Sequence, residues 1–195
     1  MTEAPSAVER LVALHPGTEV WWDSSPLIYE RWRAELLASP EGPPATPGEL
    51  ERLWDPAIPA AGLLRGATTN PPLAWGAIEN DRERWDAYAV AEATEAPDSQ
   101  EHLWRVYGEV CRAAALRFLP LYEASAGRYG HVCAQVDPRA LTDTETMLAQ
   151  ARRLHALAPN LMIKMPATRE GIAGLRALSA EGIATTATLC FSVAQ

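Results

Sequence analysis

Residues 160–168 read NLMIKMPAT. Leu161, Met162, Ile163 and Met165 form an apolar run of strand character, and one charged residue, Lys164, stands inside it. Side chains alternate along a strand, so Met162 and Lys164 share one face while Leu161, Ile163 and Met165 share the other. A lysine amine loses hydration when buried. Lys164 is therefore a residue with a solvated tip, an imperfection that the fold tolerates, or a reactive amine. The stretch alone leaves the three open.

The neighbouring sequence repeats one pattern. Upstream, HVCAQVDP (131–138) reads as a strand, and LTDTETMLAQARRLHAL (141–157) as a helix opened by a Thr142-x-x-Glu145 capping box. Downstream, TREGIAGLRALSAEG (168–182) reads as a helix stopped by Gly182, and IATTATLCFS (183–192) as another strand. Further out, TEVWWDS (18–24) is a strand ending at Asp23, and 26–39 carries a helical apolar stripe. GLLRGATTNPP (62–72) is a short strand stopped by two prolines, and helical patterns cover 72–95 and 99–125. Residues 1–17 are a helical lead-in. PEGPPATPG (40–48) reads as a loop without packed structure, within a proline-rich insert over 40–60.

Strand and helix in alternation predict parallel βα units, in an open doubly wound sheet or a closed (β/α)8 barrel. Five strands are legible, whereas a closed barrel takes about 250 residues. The fold class expected from the repeat is α/β, and the two arrangements stay open at this point.

Polar residues cluster at the C-terminal ends of these strands, where parallel α/β folds bind ligands. Asp23, Gln135, Lys164 and Thr188 end four strands, and Asn70 follows a fifth. Each also has a plainer reading. Asp23 can cap the helix before which it stands, and Asn70 can serve the turn before Pro71. Gln135 can be a satisfied core amide, and Thr188 can reflect β-propensity alone.

The 195 residues are 48% hydrophobic and 22% charged, with a net charge of −8. That charge argues against nucleic acid or an anionic membrane as the main partner, and leaves room for a local basic pocket. No stretch approaches the roughly 18 apolar residues of a membrane span, and the N-terminus lacks the pattern of a secretory signal. Cys111, Cys133 and Cys190 read as reduced, buried thiols of a cytoplasmic protein, and His15, His102, His131 and His155 lack metal-ligand spacing. No glycine-rich phosphate loop or nucleophile elbow is present. No cofactor and no metal are expected.

GATTNPP, QVDPRALTDTETMLAQARRL, NLMIKMPAT and EGIATTATLCFS, with VWWDSS before them, resemble the successive motifs of transaldolases. The resemblance runs from about residue 18 to the end. It implies a (β/α)8 TIM barrel, of which residues 18–195 would supply about five of eight βα units, with a Schiff-base lysine, Lys164, on the fourth strand. The chain is then expected to be the N-terminal portion of a longer one, and weakly stable and inactive alone. It further implies transfer of a dihydroxyacetone unit between sugar phosphates, as in the pentose phosphate pathway. Asp23 would take a proton from the departing aldehyde's hydroxyl, and Asn70, Thr69 and Thr186 would bind the substrate. Thr188 would help hold the catalytic water. Two positions depart from the family pattern: Gln135 stands where transaldolases carry Glu, and Thr186 where they carry Asn. Gln135 is shared with the fructose 6-phosphate aldolase branch. Aldol cleavage of a ketose phosphate, or sugar-phosphate binding without catalysis, are the alternative readings. Sugar phosphates are the partners implied, and a homodimer is compatible with them.

Overall fold

The computed structural model describes residues 4–40, 45–93 and 99–193. Part of the loop expected at 40–48 therefore lies outside the described residues. The sheet consists of β1 (Val20–Trp22), β2 (Leu64–Ala67), β3 (His131–Gln135), β4 (Leu161–Pro166) and β5 (Thr185–Thr188). All neighbours are parallel, in the order β1-β2-β3-β4-β5. A doubly wound sheet reverses its order at a switch point. This one advances by one strand at every step and curls into half of a (β/α)8 barrel.

The helices explain the curl. Leu161, Ile163 and Met165 of β4, with Val132, Ala134 and Val136 around β3, are buried against the outer layer. That layer contains α6 (Ser99–Ala124), α7 (Thr144–His155) and α8 (Arg169–Ala180). Close approach of α8 depends on glycine. A Cβ on Gly171 would stand 2.0 Å from the Pro166 carbonyl oxygen, and one on Gly174 would stand 2.7 Å from Met165 Cε.

The remaining helices are α1 (Ala7–Leu14), α2 (Tyr29–Leu37), α3 (Pro47–Leu53), α4 (Pro71–Asn80) and α5 (Arg82–Ala93). The helical pattern read over 72–95 is thus two helices, parted at Asp81. The cap of α7 also differs from the expectation. Asp143, not Thr142, caps it, accepting from the Thr146 amide at 3.1 Å, because Pro138–Ala140 forms a separate 3-10 turn first. β5 is shorter than the strand read over 183–192, since Leu189 turns to a left-handed φ of 64°. Gly182 ends α8 with φ +78°, as its position predicts.

The proline-rich segment contributes to the core. Thr46 and Glu49 form a capping box that starts α3, and Trp54 follows it, fully buried. Trp54 stacks on Phe118 of α6 at 4.8 Å and meets Tyr29 edge-on at 4.7 Å. The Tyr29 hydroxyl donates to the Leu50 carbonyl at 3.0 Å. Apolar aromatic area, not proline content, decides the fate of this segment. Trp54→Ala is expected to lower the unfolding free energy by roughly 3–5 kcal/mol in urea titration. A loss below about 0.5 kcal/mol, the range of surface substitutions, would contradict a core role for residues 47–61.

Candidate active site

Packing Leu161, Ile163 and Met165 outward leaves Lys164 on the inner, concave face, half-buried. Register then selects its neighbours. Gln135 pairs with Lys164, and Lys164 with Thr186, so one row crosses three strands. Thr188 stands two residues beyond Thr186 and so lies on the same face. Trp21, Gly66 and His131 form a lower row by the same rule. Its floor is tight, since a Cβ on Gly66 would lie 2.6 Å from Trp21 Cζ3. Asp23 follows Trp21 by two residues and joins the face at the end of β1.

Asp23 has a partner that sequence reasoning passed over. The Thr68 hydroxyl donates to Asp23 Oδ1 at 2.6 Å, and the Thr68 amide donates to the Trp22 carbonyl at 2.8 Å. The signal was in the sequence: Thr68, not Thr69, has the parity of Gly66. Thr69 is buried, and its hydroxyl donates to the Cys133 carbonyl at 3.0 Å. Its side chain supports β3 and is not directed at Lys164. Asn70 caps α4, its Oδ1 accepting from the Leu73 amide at 2.9 Å. Its amide NH2 remains the group it can offer a ligand.

Electrostatics tie the two ends of the face together. Cys133 is buried one row below Gln135, opposite Met162. Burial pushes its thiol up to about 12, the Lys164 charge opposes this, and the Asp23 charge adds to it. One thiol thus senses both the β4 amine and the β1 carboxylate. Lys164 is also the single lysine of the sequence; every other strongly basic side chain is an arginine. A guanidinium stays protonated and is a poor nucleophile, so Lys164 supplies the only side-chain amine able to form an imine.

Other features lie off this face. An apolar recess lined by Trp75, Trp85 and Trp104 opens beside α4, α5 and α6. A polar recess lies between α5, α6 and α7. Among the described residues, no group of three His, Cys, Asp or Glu side chains is placed to hold a metal ion, and no helix is long and apolar enough to cross a membrane.

Residues 50–195 match the family model described as Transaldolase/Fructose-6-phosphate aldolase. The chain belongs to this family. It is similar to the transaldolase of Acidothermus cellulolyticus, 39% identical over 140 residues, covering 68% of this chain and 37% of that protein. The transaldolase of Mycobacterium ulcerans is 36% identical over 179 residues, covering 91% of this chain and 42% of that protein. That of Thiobacillus denitrificans is 36% identical over 134 residues, covering 68% and 37%. The chain therefore spans about two fifths of the length of these curated relatives. The transaldolase-family match takes in β2 to β5, and with them Gln135, Lys164, Thr186 and Thr188.

The thiols give a direct check on the face. Cys111 and Cys133 are buried as expected, with thiols pushed up to about 12 by burial. Cys190, expected to be buried, is exposed, because it follows the turn at Leu189 that ends β5. Iodoacetamide at pH 8 is expected to alkylate Cys190 and to leave the other two until the protein is denatured, because thiolate is the reactive form. Alkylation of native Cys133 at a rate comparable to Cys190 would contradict its placement below Gln135.

Proposed function

We propose that this chain carries the Schiff-base centre of a transaldolase-type transferase, with Lys164 as nucleophile. The observation that carries the reading is the row Gln135–Lys164–Thr186 across three strands, with Asp23 on the same face. Lys164 Nζ, neutral, attacks the ketone carbon of a ketose phosphate. Loss of water from the carbinolamine gives an iminium, which accepts the electron pair of the adjacent carbon–carbon bond. Asp23 removes the proton from the hydroxyl of the departing aldehyde as that bond breaks. The enamine of the three-carbon unit then attacks an acceptor aldehyde, Asp23 returns its proton, and water releases Lys164.

Gln135 and Thr188 hold the water used in forming and hydrolysing the imine. An amide orients water through a donor and an acceptor but cannot take its proton. Asn70 donates to the dihydroxyacetone unit from the cap of α4, and Thr186 lines the wall beside Lys164. Further strands would close the face, exclude water and supply the grip on phosphate. Catalysis accordingly belongs to the closed barrel, and sugar phosphates, a cytoplasmic setting and assembly as a homodimer belong to the same proposal.

The second reading keeps the imine and changes its fate. Gln135 in place of a carboxylate favours reversible aldol cleavage, in which the enamine is protonated and free dihydroxyacetone is released. Product analysis separates the two: transfer requires an acceptor aldehyde, whereas cleavage yields free dihydroxyacetone without one. In the complete enzyme, Lys164→Met is expected to reduce kcat at least about 10³-fold, and Asp23→Asn roughly 10²–10⁴-fold. Turnover that survives Lys164→Met would refute both readings. A wild-type protein that binds fructose 6-phosphate without turnover would favour a purely binding role.

A further inference from the structure

We propose that Tyr107 of α6 is a positioning residue for Gln135, acting in place of a strand that the sheet lacks at this point. The inference rests on the Schiff-base reading for its catalytic consequence, and on the geometry of β3 for its structural one.

In a parallel sheet, alternate residues of a strand direct their backbone groups to opposite neighbours. Val132 donates to the Asn160 carbonyl at 3.0 Å and Val136 to the Lys164 carbonyl at 3.4 Å, so these residues face β4. Cys133 and Gln135 therefore face β2. But β2 pairs with β3 only at Gly66–His131 and Ala67–Val132, then leaves the sheet through Thr68–Asn70 to begin α4. The Gln135 N–H and C=O have no strand to meet.

The Tyr107 hydroxyl occupies that gap. It accepts from the Gln135 amide at 2.8 Å and donates to the Gln135 carbonyl at 3.2 Å. One hydroxyl thus satisfies both backbone groups of one residue, as a neighbouring strand would. Its own surroundings fix it. The ring is buried and meets Trp104 edge-on at 5.1 Å. Thr69 holds the Cys133 carbonyl. Burial raises the Tyr107 phenol well above its usual range, so it keeps the proton it donates at any working pH. On the other side of Gln135, the bond from Val136 to Lys164 is long at 3.4 Å. The aim of the Gln135 side chain at the water beside Lys164 consequently depends on the helix behind it.

The test is Tyr107→Phe in the full chain, which keeps the ring and removes the hydroxyl. Amide hydrogen exchange at Gln135 is expected to accelerate more than about tenfold relative to the amides of Val132 and Ile163, which retain their strand partners. Borohydride trapping of the fructose 6-phosphate imine is expected to slow about tenfold, and Gln135→Ala is expected to add little to the double variant. Equal acceleration at all three amides would assign the hydroxyl to general stability and overturn the proposal. Unchanged exchange at Gln135, or fully additive effects of the two substitutions, would overturn it as well. Absence of any imine in the wild type would instead refute the Schiff-base reading, and the exchange ratio would still decide whether Tyr107 holds Gln135.

Discussion

The structure turns on the register between β3, β4 and β5. Burying Leu161, Ile163 and Met165 against α7 and α8 commits the opposite side of β4 to the concave face, and Lys164 goes with it. A shift by one residue would exchange the faces, placing the amine in the helix layer and three large apolar side chains in the site. The penalty for a buried, unpaired ammonium makes that slip prohibitive. Core packing and the chemistry of the face are thus set by one choice of parity. The glycines of α8 protect it, since a Cβ at Gly171 or Gly174 would push the helix away from β4.

The same logic extends to the edges of the face. Gln135 and Thr186 reach Lys164 because parallel neighbours in register point the same way. Asp23 comes from three strands away and is fixed by Thr68, which continues the β1–β2 pairing by one residue. Where β2 leaves the sheet, side-chain hydroxyls replace its backbone, Thr69 at Cys133 and Tyr107 at Gln135. The polar face thus has apolar packing on its outer side and two buried hydroxyls where β2 leaves it. On its inner side it is open, and Lys164 and Thr186 remain half-buried where a closed barrel would enclose them.

Much of this was legible in the sequence because it rests on short-range alternation. The parity around Lys164, the glycine stop at Gly182 and the repeat of βα units follow from local patterns, and the transaldolase-like motifs agree with the family match. Strand order was not legible, since a doubly wound sheet and a barrel share those units until register is known. Proline density hid α3 and the burial of Trp54, which depend on Phe118 more than sixty residues away in sequence. Thr68 was within reach of the parity rule. Tyr107 was not, because nothing in an Ala- and Leu-rich helix marks which hydroxyl meets the end of a distant strand.

The central claim is that Lys164 acts as an amine, and the sequence makes it unusually easy to test. Within these 195 residues, a borohydride-reduced sugar imine has one side-chain address. Incubation of the complete protein with fructose 6-phosphate, reduction, digestion and peptide mass analysis is the decisive measurement. The account predicts a reduced three-carbon adduct on the peptide containing Lys164, lost in Lys164→Met. A protein that turns over its substrate while that peptide stays unmodified would contradict it.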